Sequence, residues 1–269
     1  MTDPAPGGVT ICFANYRTLE LTRLCLRAIR KFTHAPYRVI VVDNDSRDDS
    51  LEYLRSLSWI ELIERRFDEP MDGGVAHATA LDAGFERCET EFFLAIHSDT
   101  IALRDDWLNF LVDLAGEDPR IASVGTGKAI RRAPAYDWLR RTFAFKRVKA
   151  QLFNEARREK YRHYSRSHCA LYRTALIRAE GLRFYMPGTF SGTAGKKLYF
   201  ELEDRGYPTR VVPATVMAKY IAHIGHATLV VNRPQNVREK AIRTYRRLHG
   251  KIFDSELARA LLEDESLDK

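Results

Sequence analysis

Short apolar runs alternate with helical apolar patterns over about the first 125 residues of the chain. The runs are rich in β-branched and aromatic residues and predict strands at residues 9–13, 37–42, 59–63, 92–96 and 121–124. Between the runs, apolar or cap patterns predict helices over residues 21–32, 50–57, 75–85 and 107–115. Strands and helices that alternate with short links predict an α/β fold with a mostly parallel central sheet and helices on both faces.

The alternation resumes near residue 169, after an interruption. The later pattern predicts strands at 169–172 and 209–212 and helices at 174–179 and 196–204. From Pro234 onward, one helical face is apolar and carries Val237, Ala241, Leu248 and Ile252. We expect Gly250 to interrupt this helix and the acidic end of the chain to be frayed. We therefore predict one Rossmann-type domain over 1–233 and a C-terminal helical tail over 234–269.

Composition narrows the class of protein. With 269 residues, 45% of them hydrophobic, the chain can bury a sizeable core, which excludes a largely disordered protein. No apolar run approaches the roughly 18 residues that span a bilayer, and the first residues lack a basic leader, so we expect a cytoplasmic protein. No Cys-x-x-Cys pair is present, which favours reduced, structural thiols at Cys12, Cys25, Cys88 and Cys169.

One local segment carries more positive charge than the net +7 of the whole chain. Residues 131–168 contain twelve Arg and Lys against three acids, with aromatic residues between them. We expect a helical insertion that begins after Pro134. It fits a solvated surface, peripheral contact with an anionic inner membrane face, or an anionic glycan. Nucleic acid is not expected, since no helix-turn-helix, ribonucleoprotein motif or zinc spacing accompanies the charge.

Polar side chains follow three of the predicted strands. They are Asn15 after the first strand, Asp43, Asn44 and Asp45 after the second, and His97 and Asp99 after the fourth. Because ligands bind at the carboxyl ends of strands in open α/β sheets, we expect these side chains to line a binding site. For the second strand, a turn with a helix cap is an equal alternative, since Asp and Asn are common in turns.

The pair of His97 and Asp99 indicates a binding site more specifically than the polar residues after the second strand do. The strand before it is too apolar to lie at the surface, and residues spaced i, i+2 at its end can both face one ion or one diphosphate. Mg²⁺ and Mn²⁺ favour oxygen ligands and commonly share them with substrate phosphates. The alternative is a turn that leads into the helix after Asp106.

Two further segments fit an anionic ligand. Gly73 and Gly74 precede a predicted helix, where the backbone can approach a ligand closely and the helix N-terminus favours anions. The loop is neither a P-loop nor the Gly-x-Gly-x-x-Gly dinucleotide fingerprint. His223 and His226, three residues apart around a glycine, suit a loop that closes on a metal or a phosphate.

Four segments together resemble the family 2 glycosyltransferases of GT-A fold. The matching segments are 9–16 with 38–50, the helix 73–84 with its Leu81-Asp82-Ala83-Gly84, the strand 90–100 that leads into His97-Ser98-Asp99, and 167–181 with 198–207. In the helix, Asp82 replaces the Asn of the family's Asn-x-Gly. The resemblance covers about residues 9–230. It implies a GT-A-like domain with a nucleotide-sugar half near 9–125 and an acceptor half near 169–233.

The resemblance also implies roles for residues of the site. The donor would be a UDP-, GDP- or TDP-sugar, and the residues matched to its binding are Asn15, Asp43, Asn44, Asp45, Gly74, Asp82 and His97. Asp99 would hold Mn²⁺ or Mg²⁺ at the diphosphate, with His97 and His223 as further ligands, and so neutralise the departing nucleoside diphosphate. A hydroxyl of a glycan or lipid-linked acceptor would attack the anomeric carbon with inversion.

The chain departs from the family pattern in two ways. His97 replaces the first Asp of the Asp-x-Asp motif, and imidazole is a poorer Mg²⁺ ligand than carboxylate. The family's Glu-Asp, whose Asp is the general base, falls near residue 194, where this chain has no carboxylate. His168, Glu201 and Asp204 are the remaining candidates for the base.

Three functions therefore fit the sequence. The interpretation we favour is a glycosyltransferase that makes part of a polysaccharide or glycolipid. The altered motif and the missing base leave a non-catalytic nucleotide-sugar-binding or glycan-binding protein of the same fold as the alternative. A sugar nucleotidyltransferase is third, and the lack of a Gly-rich, Lys-containing loop after the first strand argues against it.

Overall fold

A computed structural model describes residues 8–127, 164–188, 193–232, 235 and 237–269. Its strands are β1 (Val9–Asn15), β2 (Tyr37–Asn44), β3 (Glu61–Arg65), β4 (Phe92–Ile96), β5 (Thr100–Ala102), β6 (Ser123–Thr126), β7 (Cys169–Arg173), β8 (Thr209–Val212) and β9 (Ile221–His223). Seven of them form one sheet in the order β3-β2-β1-β4-β7-β6-β8. β7 runs antiparallel to both neighbours, and the other pairs are parallel. The predicted mostly parallel α/β sheet is confirmed.

A second, two-stranded sheet was not predicted from the sequence. β5 and β9 pair antiparallel, with Thr100 opposite His223 and Ala102 opposite Ile221. Each strand has only three residues, which is too short for an alternating pattern to mark it. The pairing matters for function because it brings a late segment of the chain beside the end of β4.

Helices cover both faces of the main sheet. They are α1 (Leu19–Phe32), α2 (Asp49–Ser56), α3 (Gly73–Glu86), α4 (Trp107–Gly116), α5 (Thr174–Ala179), α6 (Lys196–Asp204), α7 (Ala214–Met217), α8 (Ala227–Asn232), α9 (Glu239–Phe253) and α10 (Glu256–Glu263). Side chains of β1 alternate between two cores, since Ile11 and Phe13 pack with α1 and α4 whereas Cys12 packs with α3 and α6. None of the described helices is both long enough and apolar enough to span a membrane.

The part of α3 that contains Asp82 and Gly84 packs against β1 and against the backbone at Phe184 and Tyr185. Gly84 lies directly on β1, where an added Cβ would overlap Cys12 Sγ. Asp82 is buried and accepts hydrogen bonds from the backbone N–H groups of Phe184, at 2.7 Å, and Tyr185, at 2.9 Å. Burial raises the pKa of the Asp82 carboxyl, and the two N–H groups oppose that rise. These contacts account for the residue types here without a ligand.

Both expectations for the C-terminal tail were wrong. α9 continues through Gly250 to Phe253, because Leu248 and Ile252 pack against an apolar cluster with Leu21. That packing offsets the roughly 1 kcal/mol that glycine costs inside a helix.

The acidic end of the chain is also held in place. Arg27, buried in α1, forms a bidentate ion pair with Asp268: its Nη2 lies 2.6 Å from Oδ2 and its Nε lies 2.9 Å from Oδ1. The Tyr53 hydroxyl donates a hydrogen bond to the same carboxylate. Ala258 and Leu261 of α10 join the core beside α1, so the tail packs on its own domain. The four cysteines are buried thiols, as predicted.

Candidate active site

The structure brings the three predicted metal ligands together at the carboxyl edge of the sheet. His97 and Asp99 follow β4, and His223 ends β9. The Asp99 Oδ1 atom lies 3.3 Å from His223 Nε2 and 3.8 Å from His97 Nδ1. One ligand atom from each residue lies within 4.8 Å of the other two. Three side chains from distant parts of the sequence therefore face one small volume.

Asp99 is held in place by the loop after β9. The backbone N–H of Gly225 donates to Asp99 Oδ2 at 2.8 Å, so that oxygen is fixed and Oδ1 faces the imidazoles. Gly225 has φ +75°, a backbone conformation that glycine adopts without strain. Burial opposes ionisation of Asp99, but His223, His97 and the Gly225 N–H outweigh it and lower the pKa of the carboxyl far below its usual value. Asp99 is a buried carboxylate.

Two more histidines complete a cluster around these ligands. The His168 ring stacks on the His223 ring with centroids 4.3 Å apart, and His77 of α3 meets the edge of His97 at 4.9 Å. Burial lowers the pKa of His77 to about 4 and the pKa values of His97 and His168 well below their usual value. His77, His97 and His168 are therefore neutral imidazoles near one carboxylate, and the neutral form is the one in which imidazole binds metals.

The donor atoms fit a divalent transition metal. The Nε2 atoms of His223 and His168 are buried, and neither has an aligned hydrogen-bond partner among the described residues. For His223 this unpaired nitrogen lies beside the Asp99 carboxylate, which is the arrangement a cation between them would satisfy. Two imidazoles and one carboxylate suit Mn²⁺ and its heavier neighbours better than Mg²⁺, which prefers oxygen ligands.

The predicted donor residues Asn15 and Asp43 lie in a closed hydrogen-bond network at the ends of β1 and β2. The Asn15 amide nitrogen lies 2.8 Å from Asp43 Oδ1, and its other partners are Ser46 and Ser50, with Thr18 and Thr22 donating to its oxygen. Both residues have 0% exposure. The Thr18 hydroxyl lies 3.3 Å from that of Ser98, so the network adjoins the candidate cation centre, which consists of His97, Asp99 and His223.

The remaining donor-side residues line the same edge, further out. Asp45 pairs with Arg47 at 2.7 Å and with Arg66 at 3.3 Å, and the Arg47 hydrogen bond lowers its pKa. Asn44 lies between Arg65 and the backbone of α3. The Gly74 N–H at the start of α3 donates to the cap residue Asp72, so that helix end is occupied by a side chain of the protein.

Of the three candidate bases, His168 and Glu201 differ in position. His168 lies in the histidine cluster, whereas Glu201 on α6 pairs with Arg205 at 3.4 Å. None of the hydrogen bonds and ion pairs of Glu201 within the described residues involves the cluster. The place where the family has its Glu-Asp is described only from residue 193 onward, and 193–195 contain no carboxylate.

Sequence reasoning missed His77 and Ser167. Ser167 Oγ lies 3.1 Å from His97 Nε2 and 3.2 Å from His77 Nε2, so one hydroxyl joins two imidazoles. Neither residue follows a strand, and the two are 90 positions apart, so no local pattern in the sequence connects them. The predicted insertion at 131–168 lies outside the described residues, apart from 164–168.

Several solved glycosyltransferases share this fold. A mannosyltransferase from Pyrobaculum calidifontis, solved with GDP-Man and Mn²⁺, matches with a TM-score of 0.56 and 17% identity over 98% of this chain and 82% of that chain. Glucosyl-3-phosphoglycerate synthase from Mycobacterium tuberculosis, solved with Mn²⁺, UDP and glucosyl-3-phosphoglycerate, gives 0.53 and 15% over 93% and 80%. S. aureus TarS gives 0.52 and 17% over 96% and 75%.

A comparison of the sequence with models of protein families identifies the family of this chain. No curated protein matches the chain. The model of Glycosyl transferase family 2 matches residues 9–180, which is more than half of the chain and includes β1 to β7. The expected GT-A fold is confirmed by the sheet and by its structural relatives. The chain belongs to glycosyl transferase family 2 and is a glycosyltransferase.

Proposed function

We propose that the chain transfers a sugar from a nucleotide-diphosphate-sugar to an acceptor hydroxyl, with a divalent cation held by His97, Asp99 and His223. The convergence of these three side chains carries the proposal, since their ligand atoms lie within 4.8 Å of one another. Two relatives were solved with Mn²⁺ together with GDP-Man or UDP, which supports a paired cation and nucleotide. The imidazole ligands favour Mn²⁺ over Mg²⁺.

Each part of the site has a distinct task in this proposal. Asp99 supplies a fixed negative charge, and Gly225 orients it. A bound cation would neutralise the charge that builds on the departing nucleoside diphosphate. Asn15 and Asp43 hold the first two strand ends in register as the wall of the donor pocket. Asn44, Asp45 and Gly74 line its outer rim.

We further propose an inverting reaction with His168 as the proton acceptor. His168 lies against the cation centre, whereas Glu201 is paired with Arg205. We propose a hydroxyl on a glycan or a lipid-linked glycan as the acceptor, in polysaccharide or glycolipid synthesis. The basic residues 131–168 are the proposed contact with an anionic membrane surface or an anionic glycan.

Thermal shift with nucleotides tests the donor half. The protein would be heated with UDP, GDP, TDP or CMP, each with and without Mn²⁺. A ligand at 100 times its Kd stabilises the native state by about 2.7 kcal/mol, which is readily measured. We expect a Mn²⁺-dependent shift with one nucleotide, and hydrolysis of the corresponding nucleotide-sugar. Absence of any shift, with no nucleotide-sugar consumed, would contradict the proposal.

A further inference from the structure

We infer that Ser167 and His77 are positioning residues that hold His97 in the one tautomer able to bind the cation through Nδ1. The inference rests on the proposed function, because it requires a divalent cation at Asp99. It goes beyond that function by assigning a role to two residues that are not among the proposed ligands.

The geometry around Ser167 limits how protons can be shared. Its hydroxyl lies between the Nε2 atoms of His97 and His77, at 3.1 and 3.2 Å, and Ser167 is only 7% exposed. A hydroxyl carries a single hydrogen and two acceptor lone pairs, so it donates to at most one of the two imidazoles and accepts an N–H from the other. When its hydrogen points to one of the two rings, two arrangements are available, and they place the His97 proton on different nitrogens.

Only one arrangement leaves His97 ready to bind a cation. When Ser167 donates to His77, His97 donates its Nε2–H to Ser167, and its Nδ1 lone pair faces Asp99 Oδ1 at 3.8 Å. In the opposite arrangement the proton lies on Nδ1, blocks the ligand position and is too far from Asp99 for a hydrogen bond. A cation at Asp99 therefore selects the first arrangement, and the acceptor nitrogen of His77 stabilises it.

The arrangement matches how metal-binding histidines are generally supported. Such a histidine nearly always donates its other ring N–H to an outer group, and loss of that group typically weakens metal binding about 10- to 100-fold. Here the outer group is the Ser167 hydroxyl, which in turn donates a hydrogen bond to the His77 imidazole. Because His77 lies on α3 and Ser167 precedes β7, the two elements together fix the His97 ring.

Calorimetric titration with Mn²⁺ tests the role of Ser167. We expect Ser167→Ala to bind Mn²⁺ about 10-fold more weakly than the wild type, at the lower end of the range for outer groups. Ser167→Thr keeps a hydroxyl and should retain most of the affinity. Ser165→Ala is the matched control, because Ser165 Oγ is buried two residues away with no hydrogen-bond partner in the described structure.

Variants of His77 separate hydrogen bonding from ring packing. His77→Phe keeps a ring against the edge of His97 but removes the acceptor, and we expect about 3- to 10-fold weaker Mn²⁺ binding, the equivalent of one hydrogen bond. His77→Gln restores an acceptor oxygen and should recover part of that loss. Thermal denaturation of each variant confirms that it is folded.

Long-range ¹H–¹⁵N correlation spectra read the tautomer directly. In the protein loaded with diamagnetic Zn²⁺, His97 should carry its proton on Nε2 and His77 on Nδ1. A proton on His97 Nδ1 overturns the inference, and so does wild-type Mn²⁺ affinity in both Ser167→Ala and His77→Phe. Those results leave the proposed function intact. Failure of the wild-type protein to bind Mn²⁺ overturns both.

Discussion

Two polar clusters lie side by side at the carboxyl edge of the sheet, and they differ in how far their groups are satisfied. In the Asn15–Asp43 network, every polar atom of the Asn15 side chain has partners within the chain. At the candidate cation centre, the buried Nε2 atoms of His223 and of the adjacent His168 have no aligned hydrogen-bond partner among the residues that the structure describes, and His223 Nε2 lies beside the Asp99 carboxylate. Both clusters are buried, and both were predicted as functional from their place after a strand.

This difference in hydrogen bonding indicates that the two clusters have different roles. A buried polar group without a partner costs about 1–3 kcal/mol, so unpaired groups persist where a ligand completes them. A closed network instead fixes the backbone around it. We therefore expect changes in the Asn15–Asp43 network to act mainly on stability and changes in the cation centre mainly on metal binding and turnover.

The largest effect is expected for Asp99→Asn. Removing the carboxylate charge should abolish most cation binding. Because metal charge stabilisation is worth several kcal/mol, turnover of the nucleotide-sugar should fall by about a thousandfold. Steady-state kinetics with Mn²⁺ measure the loss. Asp105→Asn is the control, since that exposed acid pairs with His34 at the surface, away from the three proposed ligands. Equal turnover in Asp99→Asn and wild type would remove the cation centre from the mechanism.

Asn15→Ala should show the opposite behaviour. The change leaves Asp43 and several hydroxyls of the network without a partner and should cost about 3 kcal/mol of folding free energy. For a chain of this size that lowers the melting temperature by roughly 6–12 °C. Mn²⁺ affinity at a temperature where the variant is folded should stay within about twofold of wild type, a shift below 0.5 kcal/mol. The exposed Asn109→Ala is the control, and an unchanged melting temperature would break the comparison.

The ion pair of Arg27 and Asp268 provides a third case for the comparison, because its charged groups are fully paired and lie outside the site. Burial opposes the ionisation of Asp268, but Arg27 and Tyr53 outweigh it and lower its pKa. Because the folded pKa lies below the unfolded value of roughly 3.9, the stabilisation is complete above that value and is lost as pH falls through the folded pKa.

We therefore expect Asp268→Asn to cost about 2 kcal/mol at pH 7, the range for hydrogen bonds to charged groups. The difference from wild type should shrink below about pH 4, where the wild-type carboxylate takes up a proton. Urea denaturation from pH 3 to pH 7 measures it, with the exposed Asp254→Asn as control. A difference that remains constant down to pH 3 would show that the charge of Asp268 is not the stabilising element.

The main sheet could be predicted from sequence because its strands are long, apolar and separated by amphipathic helices. Those patterns identified β1, β2, β4 and the carboxyl edge where Asn15, Asp43 and Asp99 lie. The β5–β9 pair could not be predicted, since three-residue strands carry no periodicity. The antiparallel direction of β7 is also invisible locally, because it depends on the path of a long connection.

The site was predictable only as far as it follows strand ends. The resemblance identified His223, but the pairing of Thr100 with His223 that places it beside Asp99 is a tertiary contact. His77 and Ser167 carry no local signal, since a single histidine on a helix usually packs without a ligand. At Asp82, the position that the resemblance matched to the donor, the carboxylate accepts hydrogen bonds from the backbone N–H groups of Phe184 and Tyr185, and no local pattern in the sequence indicates these long-range contacts.

His97→Asp is expected to have the smallest effect. It is also the most direct test of whether the side chain at position 97 is a ligand of the cation. The change restores a second carboxylate and should shift the preference for Mg²⁺ relative to Mn²⁺ by roughly tenfold, about 1.4 kcal/mol, because Mg²⁺ favours oxygen ligands. Without metal, the two carboxylates would repel each other and lower the melting temperature, and Mg²⁺ should restore it. Competitive titration with the two metals measures the ratio. An unchanged ratio would mean that the side chain at position 97 does not touch the cation, and the imidazole cluster would then belong with the satisfied, structural groups of the Asn15–Asp43 network.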